Sequence, residues 1–316
     1  MNYSRTNIID ILRDRSLFVV VALLSFFIFS CQSKAPLFSG ESAFIYLEKQ
    51  CSFGPRNPGS IGHRLCKDFL VSTLDEFADT TFTQSFLQAV PGTSDTIEMT
   101  NIIGVFNGEG HSPLLLGAHW DTRPTADHDR DPERRGDPIL GANDGASGVS
   151  VLLEMAHILS RNSQSQKIYI VFFDAEDMGI EGNPKSYALG AQYFANHLPI
   201  QKPRQAIILD MVGDADLFLP IERNSYVQNP NLVKTLWTLA DDLSLNAFEK
   251  QLMFEIYDDH VPLWEIAQIP AIDIIDFMYP NQRSNFWHTH EDIPINCSAE
   301  SLYQVGTLLV HYIFDH

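Results

Sequence analysis

The sequence contains a set of carboxylate and imidazole side chains whose types suit metal-assisted chemistry. The set consists of His119, Asp121, Asp144, Glu176, Asp177, Asp210, Asp258 and His288. If these side chains converge, their carboxylates would raise one another's pKa values unless a cation neutralised them. Carboxylate and imidazole together suit zinc, which in catalytic sites takes three protein ligands and leaves one position open. In the adjacent pair Glu176-Asp177, one carboxylate can bind the metal while its neighbour acts as a general base.

Several of these side chains directly follow apolar runs of strand length. Three such junctions are Leu114–Ala118 followed by His119-Trp120-Asp121, Ile168–Phe173 followed by Asp174-Ala175-Glu176-Asp177, and Ala206–Leu209 followed by Asp210. In open α/β sheets, ligands bind beyond the carboxyl ends of the strands. We therefore expect three strands to deliver ionisable side chains to one edge of a sheet.

The remaining apolar pattern predicts the fold that carries this edge. Further strand-length runs occupy Asn101–Phe106 and Ala271–Ile275, and helical periods occupy 149–159 and 302–312. Apolar strands alternating with amphipathic helices indicate an α/β fold. We expect a three-layer sandwich with a mixed, mostly parallel central sheet and helices on both faces. The charged segment Arg123–Asp137 is predicted to be a loop, and the pattern gives no function to Asp273 or Asp276.

Composition excludes several classes of protein. Of the 316 residues, 45% are hydrophobic and 11% are aromatic, which is enough apolar surface to exclude a disordered chain. Lys and Arg number 21 against 40 Asp and Glu, and the net charge of −19 argues against nucleic acid as a partner, because its phosphates would be repelled. A single apolar stretch approaches membrane length, which excludes a bundle of membrane-spanning helices.

The N-terminus has the features of an export signal. Leu17–Ser30 is a run of 14 uncharged residues preceded by Arg5, Arg13 and Arg15. A signal-peptide core needs about 7–15 apolar residues after a basic start, whereas a spanning helix needs about 20. The run ends in the sequence IFSC at Cys31, which resembles the lipobox of bacterial lipoproteins. We expect cleavage before Cys31 and a lipid on it; the alternative is an ordinary signal peptide or anchor with an incidental cysteine.

These features predict the domain organisation and the compartment. Residues 1–30 are expected to be a lipoprotein signal peptide, 31–41 a tether, and 42–316 a single catalytic α/β domain. The protein would lie on the periplasmic side of a bacterial cell envelope, attached to the membrane only through Cys31. That oxidising compartment permits a bridge between Cys51 and Cys66, which would leave Cys297 free. The sequence has no Cys-x-x-Cys, which argues against a thiolate metal or redox site.

Five short motifs stand in the order found in the zinc aminopeptidase superfamily. They are His119-Trp120-Asp121, Gly141-Ala142-Asn143-Asp144, Glu176-Asp177, Asp210 and Trp287-His288-Thr289. Within that superfamily, the sequence DDHVP at 258–262 and Trp287-His288-Thr289 resemble the glutaminyl cyclase branch. The resemblance covers nearly all of residues 40–316 and implies a zinc aminopeptidase-like fold.

The resemblance implies a metal site and a general base. Asp144, Asp177 and His288 match the three ligands of the single zinc ion of the cyclases, so one Zn²⁺ per chain is expected. Glu176 matches their general base and acid. Taken alone, Asp144 could instead cap the helix that follows it.

The same resemblance implies the residues that contact the substrate. Asp210 matches a carboxylate beside the substrate amine, and Asp258 matches its hydrogen-bonded partner. Trp287 matches the aromatic wall of the substrate cavity, with core packing as the alternative. Tyr257 precedes Asp258 and could line the cavity or pack in the core. His119 matches a second-metal ligand of the aminopeptidases, a residue that in the cyclases is generally not a zinc ligand, so it is either a metal ligand or a hydrogen-bonding neighbour.

The reaction that the resemblance implies is cyclisation of the N-terminal glutaminyl residue of peptides and proteins to pyroglutamate, with release of ammonia, by a monomer. The main alternative is a two-zinc aminopeptidase, with His119, Asp144 and Asp210 on one metal and Asp144, Asp177 and His288 on the other. A non-catalytic binding module is a further alternative.

The sequence departs from the animal cyclases at several positions. Asp177 stands where they usually have a second Glu, and Gly182 lies in the region where they have an aromatic residue. The animal disulfide has no counterpart, because no Cys flanks His119 or Asp144. These differences suit a bacterial branch of the family.

Overall fold

A six-stranded sheet is the central layer of this computed structural model, which describes residues 35–108 and 110–315. The strands are β1 (Thr80–Ala89), β2 (Thr96–Phe106), β3 (Gly110–His119), β4 (Gln166–Phe173), β5 (Gln205–Asp210), β6 (Leu219–Glu222), β7 (Phe248–Met253), β8 (Ala271–Ile275), β9 (Pro280–Asn281) and β10 (Ser284–Asn285). The order in the sheet is β1-β2-β4-β3-β5-β8. β1, β2 and β4 pair in antiparallel fashion, whereas β4, β3, β5 and β8 run parallel. The predicted mixed, mostly parallel sheet is confirmed.

Helices cover both faces of this sheet. They are α1 (Gly40–Cys51), α2 (Ile61–Phe77), α3 (Ala146–Arg161), α4 (Leu189–Asn196), α5 (Arg223–Gln228), α6 (Pro230–Asp242), α7 (His260–Glu265) and α8 (Ala299–Phe314). Because side chains alternate along a strand, Leu115, Val171 and Ile208 point to one face, where they pack with Phe194 of α4 and Leu263 of α7. α3 lies on the other face, packed with α1 and α8. The predicted three-layer sandwich is therefore confirmed.

The elements predicted from the apolar pattern are present. The five predicted strands lie within β2, β3, β4, β5 and β8, and the two predicted helices lie within α3 and α8. Every residue of β4 from Ile168 to Phe173 is buried, as expected for a strand covered on both faces. The segment Arg123–Asp137 is a loop apart from one short 3₁₀ turn at Pro132–Arg134.

The folded unit spans Pro36–His316, and α1 begins at Gly40, two residues before the boundary predicted at 42. The predicted signal peptide and Cys31 lie outside the described residues, so those assignments stay predictions. Among the residues that the structure describes, no helix is both long and apolar enough to span a bilayer.

The cysteines of the folded unit do not form the bridge that the compartment would permit. Cys51 on α1, Cys66 on α2 and Cys297 are free thiols, and all three are buried. Burial raises the pKa of Cys51 to about 11 and that of Cys66 to about 12, which keeps both groups as unreactive thiols.

Candidate active site

The parallel strands bring the predicted side chains to one edge of the sheet. β3 ends at His119 and β5 ends at Asp210, while Glu176 and Asp177 follow β4 within four residues. All of the ionisable residues singled out from the sequence are buried: His119, Asp121, Asp144, Glu176, Asp177, Asp210, Asp258 and His288. Burial of so many carboxylates is costly unless they are paired, protonated or bound to a cation.

Two glycines let the segment that carries Asp144 lie directly against this edge. A Cβ on Gly148 would lie 2.3 Å from the carbonyl oxygen of Leu209, and a Cβ on Gly145 would lie 2.6 Å from Cε1 of His119. Both contacts are too close for any side chain, so helix α3 starts in contact with the ends of β3 and β5. Gly145 occupies the N-cap position of α3 and no side chain caps it, which argues against Asp144 acting as a helix cap.

Asp144, Asp177 and His288 form a three-residue cluster with the geometry of a metal site. Each offers one ligand atom, and these atoms all lie within 4.8 Å of one another. Nε2 of His288 lies 3.1 Å from Oδ1 of Asp177 and 3.8 Å from Oδ2 of Asp144. Burial lowers the pKa of His288 to about 3, so the imidazole is neutral, as a metal ligand must be. Oδ2 of Asp177 is buried without a hydrogen-bond partner among the described residues. This donor set fits zinc.

The carboxylate of Asp121 holds the backbone of the Glu176-Asp177 pair. Oδ1 of Asp121 accepts a hydrogen bond from the backbone N of Glu176 at 3.0 Å, and Oδ2 accepts one from the backbone N of Asp177 at 3.2 Å. The contribution of Asp121 is therefore to fix the backbone that carries the side chains of Glu176 and Asp177.

Asp292 holds the backbone at Asp144 in the same way, and the sequence did not single it out. Its Oδ1 accepts from the backbone N of Asn143 at 2.7 Å, and its Oδ2 accepts from the backbone N of Asp144 at 3.2 Å. The hydroxyl of Tyr279 donates to Oδ1 of Asp292 at 3.0 Å. The position of Asp292 four residues after His288 is the one sequence signal that could have linked it to the site.

The loop that follows Asp121 closes over the metal cluster. Nη1 of Arg123 donates to the carbonyl oxygen of Asp177 at 3.1 Å, and the guanidinium forms an ion pair with Asp127. The backbone N of His128 donates to the carbonyl oxygen of His288 at 3.2 Å. The predicted loop thus restrains two of the three candidate metal ligands.

Glu176 lies beside the metal cluster and lines the same cavity. Burial raises the pKa of Glu176 well above the usual value of a glutamate, and the carboxylates of Asp258 and Asp177 add to the rise. A carboxyl group whose pKa is moved toward neutrality can accept and return a proton at physiological pH. The position and the pKa shift both suit the role of general base and acid.

His119 lies between three carboxylates on the other side of Asp144. Its Nε2 is 3.1 Å from Oδ1 of Asp210 and 3.2 Å from Oδ1 of Asp144, and its Nδ1 is 3.5 Å from Asp121. Burial alone would lower the pKa of His119, but these three carboxylates outweigh burial and raise it well above the usual value. One ligand atom from each of His119, Asp144 and Asp210 also lies within 4.8 Å of the others. The geometry therefore accommodates both roles considered for His119.

A cavity of about 340 Å³ opens onto the metal cluster. Trp287 and Tyr257 both line it, as do Phe277 and Tyr187, which the sequence did not indicate. Trp287 stacks on the ring of His288 with centroids 3.7 Å apart and meets Phe277 at 5.0 Å. Tyr257 also packs partly against the core, so both interpretations of that residue hold.

Comparison with known proteins agrees with this architecture. The family model of Peptidase family M28 matches residues 101–313. Aminopeptidase YwaD of Bacillus subtilis is 25% identical over 295 residues, which cover 88% of this chain and 57% of that protein, so the chain spans little more than half of that relative. The glutaminyl-peptide cyclotransferase of Drosophila melanogaster is 24% identical over 264 residues, covering 75% of this chain and 70% of the relative.

Similarity to a solved structure extends beyond the residues of the family match. The crystal structure of Bacteroides thetaiotaomicron glutaminyl cyclase bound to N-acetylhistamine superposes with a TM-score of 0.85 at 33% identity, covering 90% of this chain and 100% of that one. The family match runs from within β2 to within α8 and therefore includes every candidate metal ligand. The chain belongs to peptidase family M28.

Proposed function

We propose that this protein is a zinc-dependent glutaminyl cyclase that converts N-terminal glutaminyl residues of peptides and proteins to pyroglutamate and ammonia. The observation that carries the proposal is the buried cluster of Asp144, Asp177 and His288 beside a protonatable Glu176, at the base of a cavity with aromatic walls. The 33% identity to a solved bacterial glutaminyl cyclase supports the choice of reaction.

Asp144, Asp177 and His288 would hold one zinc ion. When bound there, zinc supplies a Lewis acid that polarises the γ-carbonyl of the substrate glutamine and stabilises negative charge on its oxygen. The aromatic walls at Trp287 and Phe277 would enclose the flat carboxamide and exclude bulk water.

The chain's own carboxylates would bind the amine and move its proton. With an α-amino pKa near 8, roughly a tenth of the amine is already neutral at pH 7. Asp210, which lines the cavity, would bind the amine. Asp258 lines the cavity too, but its oxygens have no hydrogen-bond partner among the described residues, so the expected hydrogen bond to Asp210 is not formed and Asp258 would bind the amine as well. As the amine nitrogen attacks the γ-carbonyl carbon, Glu176 would take its proton and return it to the departing nitrogen. The C–N bond of the ring forms, the carboxamide C–N bond breaks, and ammonia leaves without consumption of water.

A two-metal aminopeptidase is the second candidate function. A second cluster consists of His119, Asp144 and Asp210 and shares Asp144 with the first. Its ligand atoms also lie within 4.8 Å of one another. Hydrolysis would place an activated water between two metal ions. The M28 relative from Bacillus subtilis carries the name aminopeptidase.

A paired assay separates these functions. We expect purified protein to release ammonia from Gln-peptides and to leave leucine anilides intact, because a single Lewis acid with an internal amine suffices for cyclisation. Metal analysis of the same sample should give about one zinc per chain. Cleavage of leucine anilides with about two zinc ions per chain would instead identify an aminopeptidase, and absence of both activities in zinc-loaded protein would favour a binding module.

We further propose that the enzyme acts as a monomer in the periplasm of a bacterium, anchored by a lipid on Cys31. The support is the basic start, the uncharged run of 14 residues and the cysteine that ends it. Peptides are the expected partners, and the net charge of −19 disfavours nucleic acid. Mass spectrometry of the membrane-extracted native protein should find a lipid-modified N-terminal Cys31, and an unmodified Cys31 would contradict the anchor.

A further inference from the structure

A second group of ionisable side chains is buried behind the cavity, outside both candidate metal clusters. It consists of Glu222 at the end of β6, Asp258 before α7, His260 at the start of α7 and Asp273 in β8. None of these residues is more than 2% exposed. We call this group the His260 cluster. Asp258 alone connects it to the cavity, because Asp258 is the only one of its four members that lines the cavity wall.

Glu222 is the fixed end of the cluster. Its Oε1 accepts hydrogen bonds from the backbone N of Asn224 at 2.8 Å and of Ile256 at 3.0 Å. Its Oε2 accepts from the backbone N and the hydroxyl of Ser225 at 2.6 and 2.8 Å. Burial would raise the pKa of Glu222, but His260 and these amides outweigh burial and lower it to about 2. Glu222 is therefore an ionised group whose position is set by two backbone segments.

His260 connects Glu222 to the other two carboxylates. Its Nε2 lies 3.3 Å from Oε2 of Glu222, and its Nδ1 lies 3.9 Å from Oδ2 of Asp258 and 3.9 Å from Oδ2 of Asp273. The oxygens of Asp258 and Asp273 have no hydrogen-bond partner among the described residues. The imidazole ring is therefore the group that these two carboxylates face.

Ligand atoms of Asp258, His260 and Asp273 lie within 4.8 Å of one another, as those of the two candidate metal clusters do. The additional contact of His260 with the ionised Glu222 favours the interpretation of this group as charge-paired. Burial would lower the pKa of His260, but the carboxylates of Asp258 and Glu222 outweigh burial and raise it to about 9. As an imidazolium it attracts Asp258 on one side and Glu222 on the other, which offsets the cost of burying these two carboxylates. Burial and the neighbouring carboxylates raise the pKa of Asp273 well above its usual value.

We infer that His260, held by Glu222, is a positioning residue that fixes the carboxylate of Asp258 at the cavity wall, where Asp258 meets the amine of the substrate. This inference rests on the proposed function. Without the imidazolium, Asp258 would be free to turn toward other partners, and the amine would be less often aligned for attack. Orientation of this kind contributes to the rate without any contact between His260 and the substrate.

A double-mutant cycle in cyclisation kcat/KM tests the inference. We expect His260→Gln to lower kcat/KM by about 10–100-fold, as for other residues that orient a functional group from behind. In an Asp258→Asn background the same substitution should have almost no further effect, because the group on which His260 acts is already gone. Glu222→Gln should behave in the same way in both backgrounds. Zinc content and melting temperature are measured for every variant. His311→Gln is the matched control that should retain wild-type kcat/KM, because His311 is in the last turn of α8 and does not line the cavity.

The outcomes separate the inference from the function on which it rests. Equal fold-losses in the wild-type and Asp258→Asn backgrounds would overturn the inference, since a merely structural role acts independently of Asp258. If His260→Gln does not fold, Glu222→Gln carries the cycle; failure of both to fold would assign the cluster a structural role and also overturn the inference. A wild-type protein that releases no ammonia overturns the proposed function and this inference with it.

Discussion

Replacement of Glu176 by Gln should lower the kcat of cyclisation by about 10²–10⁴-fold, the usual contribution of a positioned acid–base residue. The amide keeps the size of the side chain but cannot take the proton of the attacking amine or return it to the leaving nitrogen. Glu176 is not one of the three clustered ligands, so the variant should bind as much zinc as the wild type. Steady-state kinetics and metal analysis on the same preparation measure both quantities.

The matched control for Glu176→Gln is Glu133→Gln. Glu133 is an exposed glutamate in the 3₁₀ turn of the loop between β3 and α3, and its substitution should leave turnover unchanged. Wild-type turnover in Glu176→Gln would show that another group transfers the proton. Loss of zinc from that variant would show that Glu176 acts as a ligand instead.

Replacement of His288 by Gln should remove the zinc and with it nearly all activity. The substitution takes away the imidazole of the Asp144, Asp177 and His288 cluster and leaves two buried carboxylates to bind the ion. Because a Lewis acid contributes several kcal/mol of charge stabilisation, we expect a loss of roughly 10³-fold or more in kcat/KM. Added zinc should raise the melting temperature of the wild type, since it binds the folded state, but not that of the variant.

The variant His119→Gln distinguishes a site with one zinc ion from a site with two. Its imidazole belongs to the second cluster and lies 3.2 Å from Asp144. The single-zinc account predicts that His119→Gln retains about one zinc per chain and measurable cyclisation. A fall from two zinc ions to one in this variant would support the two-metal aminopeptidase.

The sequence was sufficient to predict the central strands and the edge at which the site lies. The runs that became β3, β4 and β5 are apolar throughout, because both faces of the sheet are covered, and each leads directly into an ionisable residue. The location of the site at the carboxyl ends of the strands then follows from a general rule for α/β sheets, whereas the strand order was not predicted. The residues that matched a family motif could also be identified from the sequence alone.

The supporting contacts could not be predicted, because they depend on segments distant in the chain. Asp292 holds Asp144 across 148 residues, and Asp273 faces His260 because α7 packs against β8. The carboxylate of Asp276, also unexplained by the pattern, accepts from the backbone N of Phe218 and of Met278.

Two of the aromatic residues that line the cavity could not be predicted from the sequence either. Phe277 and Tyr187 line the cavity, while Gly182 contributes no side chain to it, so the absence of an aromatic residue near 182 does not leave the cavity without aromatic walls. Aromatic side chains thus reach the cavity from positions that no spacing rule connects to residue 182.

The most direct test of the account is anomalous diffraction at the zinc edge from crystals of the zinc-loaded protein. We expect one strong peak per chain, within about 2.0–2.2 Å of a carboxylate oxygen of Asp144, a carboxylate oxygen of Asp177 and Nε2 of His288. A zinc-loaded crystal without an ion bound by these three side chains, or with a second equally strong peak bound by His119 and Asp210, would contradict it.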